Sequence, residues 1–161
     1  MLTRRHFLLT AAATPIATYG ATQAIAGETP ADRPEGKPAI LSYNGAAIGG
    51  YDPVGYFMTS GEVLGDTAHA VVWDGATFLF ASASNKKTFE ADPEAFAPKY
   101  GGYCSYAAAL NYTAPTSANA WSIHEDRLYL NFNQHVRSVW EQDKAGYIAK
   151  ADANWPGPLF A

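Results

Sequence analysis

Two pairs of short β-prone runs, each pair joined by a tight turn, constrain the fold of this chain most strongly. In the first pair, residues 70–73 (AVVW) and 77–80 (TFLF) are separated by Asp74-Gly75; in the second, residues 120–124 and 127–132 are separated by Glu125-Asp126. Asp-Gly between such runs is a strong hairpin signal. Because a segment with helix-start residues follows each hairpin, the sequence predicts an α+β fold. This would be a small antiparallel sheet built from two β-hairpins, with short helices packed on it.

The helices are predicted from residues that cap helix N-termini, chiefly Asp, Asn and Ser, and from Asp-Pro pairs. The predicted starts are Asp52-Pro53, Ser82 or Ser84, Asp92-Pro93 and Asn133, and a buried helix is predicted over Tyr103–Leu110. The helix that begins at Asn133 is expected to break at Gly146, since glycine is a poor helix former.

The N-terminus has the layout of a secretory signal. A short basic head containing Arg4-Arg5 precedes an apolar stretch to about Ala26, and Ala24-Ile25-Ala26 is a small-x-small cleavage pattern. The paired arginines indicate the twin-arginine type, with residues 1–26 removed; an ordinary secretory signal or a retained anchor is the alternative. We therefore expect a periplasmic protein with no transmembrane segment after cleavage.

The remaining chain is predicted to be a flexible tether, residues 27–39, followed by one domain over residues 40–161. Removal of two arginines and no acids takes the net charge from −4 to −6. Because no basic tract remains, nucleic-acid binding is not expected.

Part of the chain resembles the YHS domain family. Metal-binding members carry a DPVCGM-like start, a strand reading roughly Y-H-F-C-S, a further cysteine and phenylalanine in the next helix, and a DP-x-x-Y-like end. Here Asp52-Pro53-Val54 matches the start, residues 78–82 (FLFAS) match the strand, and Phe89 and Asp92-Pro93 match the end. The resemblance covers about residues 48–100, and the residues after it look like the longer, exported branch of the family.

The cysteine positions of the family are replaced in this sequence. Gly55 stands in place of the first cysteine, Ala81 in place of the second and Asn85 in place of the third, while Leu79 replaces the histidine. Soft metals such as Cu(I) or Zn(II) prefer several thiolate or imidazole ligands. The resemblance therefore does not imply the family's multi-cysteine metal site.

Cys104, the only cysteine, is the first candidate functional residue. In one interpretation it holds a metal ion, copper being the most plausible, together with His69, His124 or His135 or with an oxygen of the tyrosine-rich region; in another it simply packs beside alanines. A position at a helix N-terminus would lower its pKa and favour the thiolate. The three histidines form no close-spaced metal motif, so a Cys104–His pair would have to form in space.

Tyrosines cluster around the Asp-Pro and Cys104 segments. They are interpreted either as core residues or as the lining of a pocket for a small ligand or a protein partner, with Asp52 as a polar group. The pocket residues would be Tyr51, Asp52, Tyr56, Tyr103 and Tyr106. Asp52 also fits a helix cap. No established catalytic motif occurs, and a thiol-dependent enzyme would need Cys104 and a base.

Overall fold

The computed structural model describes residues 36–59 and 61–161, and its strands form three separate two-stranded antiparallel sheets. The strands are β1 Ser42–Tyr43, β2 Ala46–Ala47, β3 Asp66–Trp73, β4 Ala76–Phe80, β5 Trp121–His124 and β6 Arg127–Leu130. The α+β class and both predicted hairpins are confirmed. The hairpins are not joined into one sheet, however, and the sequence analysis did not predict the β1–β2 hairpin.

Each hairpin turn has positive φ at both central residues. This holds for Asn44-Gly45, Asp74-Gly75 and Glu125-Asp126. Such φ values are those of the turn whose twist matches the flanking strands, and Asn, Asp and Gly adopt them most readily. The local sequence therefore fixes the register of each hairpin, with Trp73 opposite Ala76 and His124 opposite Arg127.

Six short α-helices lie between and after the hairpins. They are α1 Gly55–Met58, α2 Ala83–Ala91, α3 Pro93–Phe96, α4 Ser105–Ala109, α5 Gln134–Glu141 and α6 Lys144–Asn154, within the described residues. The predicted caps Ser82, Asp92 and Asn133 each accept a backbone N–H bond at the start of a helix.

The predicted break at Gly146 is wrong. The chain turns between α5 and α6 at Gln142-Asp143, and Gly146 lies in the first turn of α6. The reason is a cap that the sequence analysis missed: the Asp143 carboxylate accepts the N–H of Gly146 at 3.0 Å. A capped first turn offsets the low helix propensity of glycine.

The buried side chains fall into two clusters. The first cluster joins β4, α2 and β6, with Phe78, Phe80, Phe89, Leu128 and Leu130 all essentially inaccessible to solvent. The second cluster packs α4 against α5 and α6 and has Tyr100, Tyr129 and Trp140 at its centre. The two clusters share β6, because Leu128 and Leu130 belong to the first and Tyr129 to the second.

The predicted signal, residues 1–26, and most of the predicted tether lie outside the described residues. Residues 36–39, the last of that tether, run beside the C-terminus: the N–H of Lys37 donates to the carbonyl of Leu159 at 2.9 Å. Among the described residues, no helix has the length and apolar character needed to cross a membrane.

Candidate functional site

Asp52 is a fully buried carboxylate with a complete set of hydrogen bonds. One oxygen accepts the N–H groups of Val54 and Gly55, at 2.8 and 3.2 Å. The other accepts the N–H of Ala81 at 2.8 Å and the side-chain amide of Asn85 at 2.7 Å. Asp52 is not the N-cap of α1, which is Val54; its carboxylate instead holds the Pro53-Val54 turn that leads into α1. The same side chain also ties this turn to the end of β4 and to α2. Four donors offset the cost of burying its charge.

The positions at which the resembled family carries cysteine converge on this carboxylate. Gly55, Ala81 and Asn85 each donate one of its four hydrogen bonds. Residues that are 26 to 30 positions apart in the chain are thus neighbours in space. Where that family would offer sulfur ligands, this chain has the glycine Gly55, the methyl group of Ala81 and the amide of Asn85. The resemblance itself stays a prediction.

Cys104 immediately precedes α4 and is almost completely buried. Its thiol donates to Oδ1 of Asn131 at 3.7 Å. Burial raises the pKa of the Cys104 thiol, although the backbone N–H groups of Ala107, Phe132 and Tyr106 act in the opposite direction. The expected lowering of the pKa by the helix is thus outweighed, because α4 has only one turn and the sulfur is desolvated. The neutral thiol is favoured at pH 7.

Several polar atoms near the Cys104 segment are buried without a partner among the described residues. Asn131 uses its oxygen for Cys104 and for the N–H of Tyr106 at 3.2 Å, but its Nδ2 donates to nothing there. The hydroxyl of Ser105 and the indole nitrogen of Trp140 are also buried and have no hydrogen-bond partner among the described residues. Each such group carries a desolvation cost that a hydrogen bond would remove.

The three candidate histidines lie on three different elements. His69 is in the middle of β3, His124 ends β5, and His135 is exposed near the start of α5. Within residues 36–59 and 61–161, no group of three or more His, Cys, Asp and Glu side chains is placed to hold a metal ion. Copper binding through Cys104 stays a prediction, which metal analysis of the wild type beside Cys104→Ala would test.

The candidate tyrosines serve different parts of the packing. The hydroxyl of Tyr56 donates to the carbonyl of Ala118, and that of Tyr103 donates to the carbonyl of Pro38, both at 3.0 Å. The ring of Tyr106 packs on Tyr147, with ring centroids 5.1 Å apart. Tyr51 is half-buried against the first cluster. Burial raises the pKa values of the Tyr56 and Tyr103 hydroxyls, which fits their structural roles.

A cleft of about 1000 Å³ lies elsewhere, at a junction of segments that are distant in sequence. Its walls come from the β3–β4 turn, the start of β6, the loop after α3 and the C-terminal residues. Its aromatic walls are Trp73, Tyr100, Trp155 and Phe160. The sequence pattern does not reveal this cleft, and its described lining includes Tyr100 but none of the nine metal-ligand and pocket residues predicted above.

The cleft also carries charged groups of both signs, which are Asp74, Glu94, Lys99, Arg127 and Asp152. Lys99 and Asp152 pair with each other at 3.3 Å, and the hydroxyl of Tyr100 donates to the same Asp152 oxygen at 3.0 Å. By contrast, Nε of Arg127 is buried and donates to no acceptor in the part of the chain that the structure describes.

Tyr100 and Gly101 shape the floor of the cleft through an unusual backbone. Both have positive φ, 56° and 60°. At Gly101 a side chain would collide with the carbonyl oxygen of Ala39, so glycine is required where the two segments touch. This close approach places Ala39 and Ile40 against the loop after α3 and closes one side of the cleft.

Comparison with known proteins gives no assignment: no family model, curated protein or solved structure matches this chain.

Proposed function

We propose that this protein is a non-catalytic binding protein that holds a small ligand in the cleft between the β3–β4 turn, the start of β6 and the C-terminus. The observation that carries the proposal is the cleft itself, with its aromatic walls and a small number of charged groups. Its volume is in the range found for sites that take small molecules, and such sites combine apolar contact surface with polar groups that orient the ligand. The predicted signal would make it an exported protein.

The buried thiol supports this choice of site. Cys104 lies among backbone donors and Asn131, its surface is almost fully covered, and the neutral form is favoured. A nucleophile or a metal ligand needs the thiolate and an approach path. The cleft offers a ligand an open approach without any change in the packing of α4.

Thermal unfolding in the presence of a broad panel of small molecules would test the proposal, because a ligand that binds only the folded state raises Tm. Glu94 lies in the lining and is exposed, so Glu94→Trp should obstruct the cleft without disturbing the core. Glu90, exposed on α2 outside the lining, supplies the matched control Glu90→Trp. We expect hits whose affinity falls at least about fivefold, or 1 kcal/mol, in Glu94→Trp and is unchanged in Glu90→Trp. A panel without hits, or hits indifferent to Glu94→Trp, would contradict the proposal.

A further inference from the structure

The turn of the β1–β2 hairpin contains the one asparagine of this chain that a glycine follows. Asn44 and Gly45 are its two central residues, and both are exposed to solvent. The side-chain amide of Asn44 makes no hydrogen bond with residues 36–59 or 61–161. The N–H of Gly45 has no backbone acceptor in the same ranges. Neither group is thus held by a partner that would have to be released before the two react with each other.

The surroundings of Gly45 leave its backbone nitrogen uncovered. A backbone nitrogen attacks the side-chain amide carbon of the preceding asparagine most easily when no side chain obstructs the approach. Gly45 has no Cβ, and a Cβ built at this position would meet no atom within 4 Å. Because neither its own side chain nor a neighbouring segment stands in the way, the turn permits this close approach.

The reaction forms a bond between the backbone nitrogen of Gly45 and Cγ of Asn44. The side-chain nitrogen of Asn44 leaves as ammonia and takes with it the proton of the Gly45 N–H. One water molecule then opens the five-membered succinimide ring by adding to either of its carbonyl carbons, while the bond from that carbon to the ring nitrogen breaks. The products are aspartate and isoaspartate, in which the main chain runs through the former side chain. Nothing is oxidised or reduced, and water is the co-reactant.

Local opening of the hairpin is needed for the ring to close. The ring holds the Asn44 backbone at a ψ angle outside the left-handed region, whereas in the turn Asn44 has φ 54° and is a left-handed residue. The strands β1 and β2 have two residues each and form two residue pairs, Ser42 with Ala47 and Tyr43 with Ala46. So short a pairing opens at a lower free energy than the whole domain unfolds.

Asn111 shows which features distinguish Asn44. It is also exposed and has a positive φ, 63°. The next residue, however, is Tyr112, whose N–H donates to the carbonyl of Ala107 at 3.1 Å. The attacking nitrogen at this second turn is therefore engaged in a hydrogen bond and lies beside a bulky side chain.

From these observations we propose that Asn44 is a modification site at which the folded protein is converted, without an enzyme, to aspartate and isoaspartate. The site does not depend on the ligand cleft. Both products add one negative charge to the turn. Isoaspartate also lengthens the backbone of a two-residue turn whose length sets the register of the hairpin.

Mass spectrometry of proteolytic peptides, after incubation of the native protein in mildly alkaline heavy-oxygen water, measures conversion at each asparagine. We expect Asn44 to convert at least about tenfold faster than Asn111 and to incorporate one heavy oxygen atom. In the urea-unfolded chain Asn44 should convert faster still, because opening no longer limits the reaction. Asn44→Gly, which places a residue tolerant of positive φ in the turn, should abolish the acidic charge variant. Asn111→Gly is the matched control and should leave that variant unchanged.

Each result supports or overturns the assignment of this modification site. Conversion of Asn44 no faster than that of Asn111 in the native protein would overturn it. Conversion in the unfolded chain with none in the native protein would do the same, since the hairpin would then not open. An acidic variant that persists in Asn44→Gly would place the reaction elsewhere. If Asn44→Gly does not fold, the wild-type comparison of Asn44 with Asn111 decides, because both are measured in one sample.

Discussion

Asp52 and Cys104 are both buried near the start of a short helix, but their hydrogen-bond partners differ. Cys104 lies directly before α4 and Asp52 lies three residues before the first residue of α1. Each is buried, and each contacts an asparagine, Asn85 or Asn131. The Asp52 carboxylate receives four hydrogen bonds from three segments. Around Cys104, Asn131 leaves its amide nitrogen unpaired among the described residues.

The difference indicates that Asp52 is a structural centre, meaning a group whose burial depends on its hydrogen-bond partners, whereas the surroundings of Cys104 tolerate substitution better. A buried carboxylate is stable only when its donors are in place, so the residues around Asp52 are coupled to one another. A thiol is a weak donor that packs as a small hydrophobe, and its surroundings can vary at less cost. The cleft lies at neither centre, so the ligand site that we propose is separate from Cys104 and its neighbours.

The largest expected effect is the loss of the Asp52 carboxylate. Asp52→Ala would leave buried donors from three segments without an acceptor, and we expect the free energy of unfolding to fall by about 3–5 kcal/mol. Asp92, an exposed cap that accepts one bond from Ala95 at 3.2 Å, is the matched control, and Asp92→Ala should cost about 1 kcal/mol. Urea denaturation measures both. Equal losses would show that Asp52 contributes no more than a helix cap.

The next effect concerns access to Cys104. Because the sulfur is buried and its pKa is raised, we expect iodoacetamide to alkylate the native protein at least about a hundredfold more slowly than the unfolded chain. Mass spectrometry of samples quenched over time, with and without denaturant, gives the two rates. Rapid labelling of the native protein would show that Cys104 is accessible and reactive, and it would support the hypothesis of a thiol-dependent enzyme.

The two asparagines sharpen the comparison directly. Asn85→Leu takes a hydrogen bond from a buried charge, for which we expect a loss of about 2–3 kcal/mol. Asn131→Leu leaves the N–H of Tyr106 without its acceptor, but it also removes an amide nitrogen that is buried and unpaired among the described residues. The free energy of unfolding should therefore fall by only about 1 kcal/mol. The order of the two urea midpoints is the test, and a more damaging Asn131→Leu would reverse the assignment of the structural centre.

The smallest effect is expected at a solvent-exposed group, Glu141. Burial alone would raise its pKa, but the hydroxyl of Ser122 and the guanidinium of Arg137 outweigh it and the pKa of Glu141 is lowered. Its contribution is therefore present above the unfolded-state pKa and is lost as the pH falls through the folded-state pKa. Solvent screening limits it to a few tenths of a kcal/mol.

Unfolding measurements at pH 7 and pH 3 on the wild type and Glu141→Gln would reveal this contribution. We expect the two proteins to differ at pH 7 and to converge at pH 3. A difference that grows as the pH falls would contradict the assigned direction.

Local structure was predictable where a short sequence sets a backbone conformation. The turns Asp74-Gly75 and Glu125-Asp126 predict their hairpins, and the caps Ser82 and Asn133 predict the starts of their helices. Both kinds of feature depend on a few adjacent residues. Asn44-Gly45 carried an equally clear turn signal for the third hairpin, but its strands are only two residues long and lack a recognisable alternation.

The cleft could not be predicted in the same way. It brings Ala39, Trp73, Arg127 and Trp155 together from four segments, and no periodicity relates them. The burial of Asp52 was likewise hidden, since the partner Asn85 is 33 positions away. Such sites depend on how the elements pack, and pattern reasoning along the chain does not reach that level.

The most direct test of the account is to map where a ligand acts on the isotope-labelled protein. The chain has four tryptophans, and their indole N–H signals report on separate regions. A ligand that raises Tm in the thermal screen should shift the signals of Trp73 and Trp155 and leave Trp121, which packs on Tyr56, unchanged. The backbone amides of Tyr106 and Ala107 report on Cys104 and should also stay in place. The largest shifts at Tyr106 and Ala107, with none at Trp73 and Trp155, would contradict the central claim and return the functional site to the cysteine.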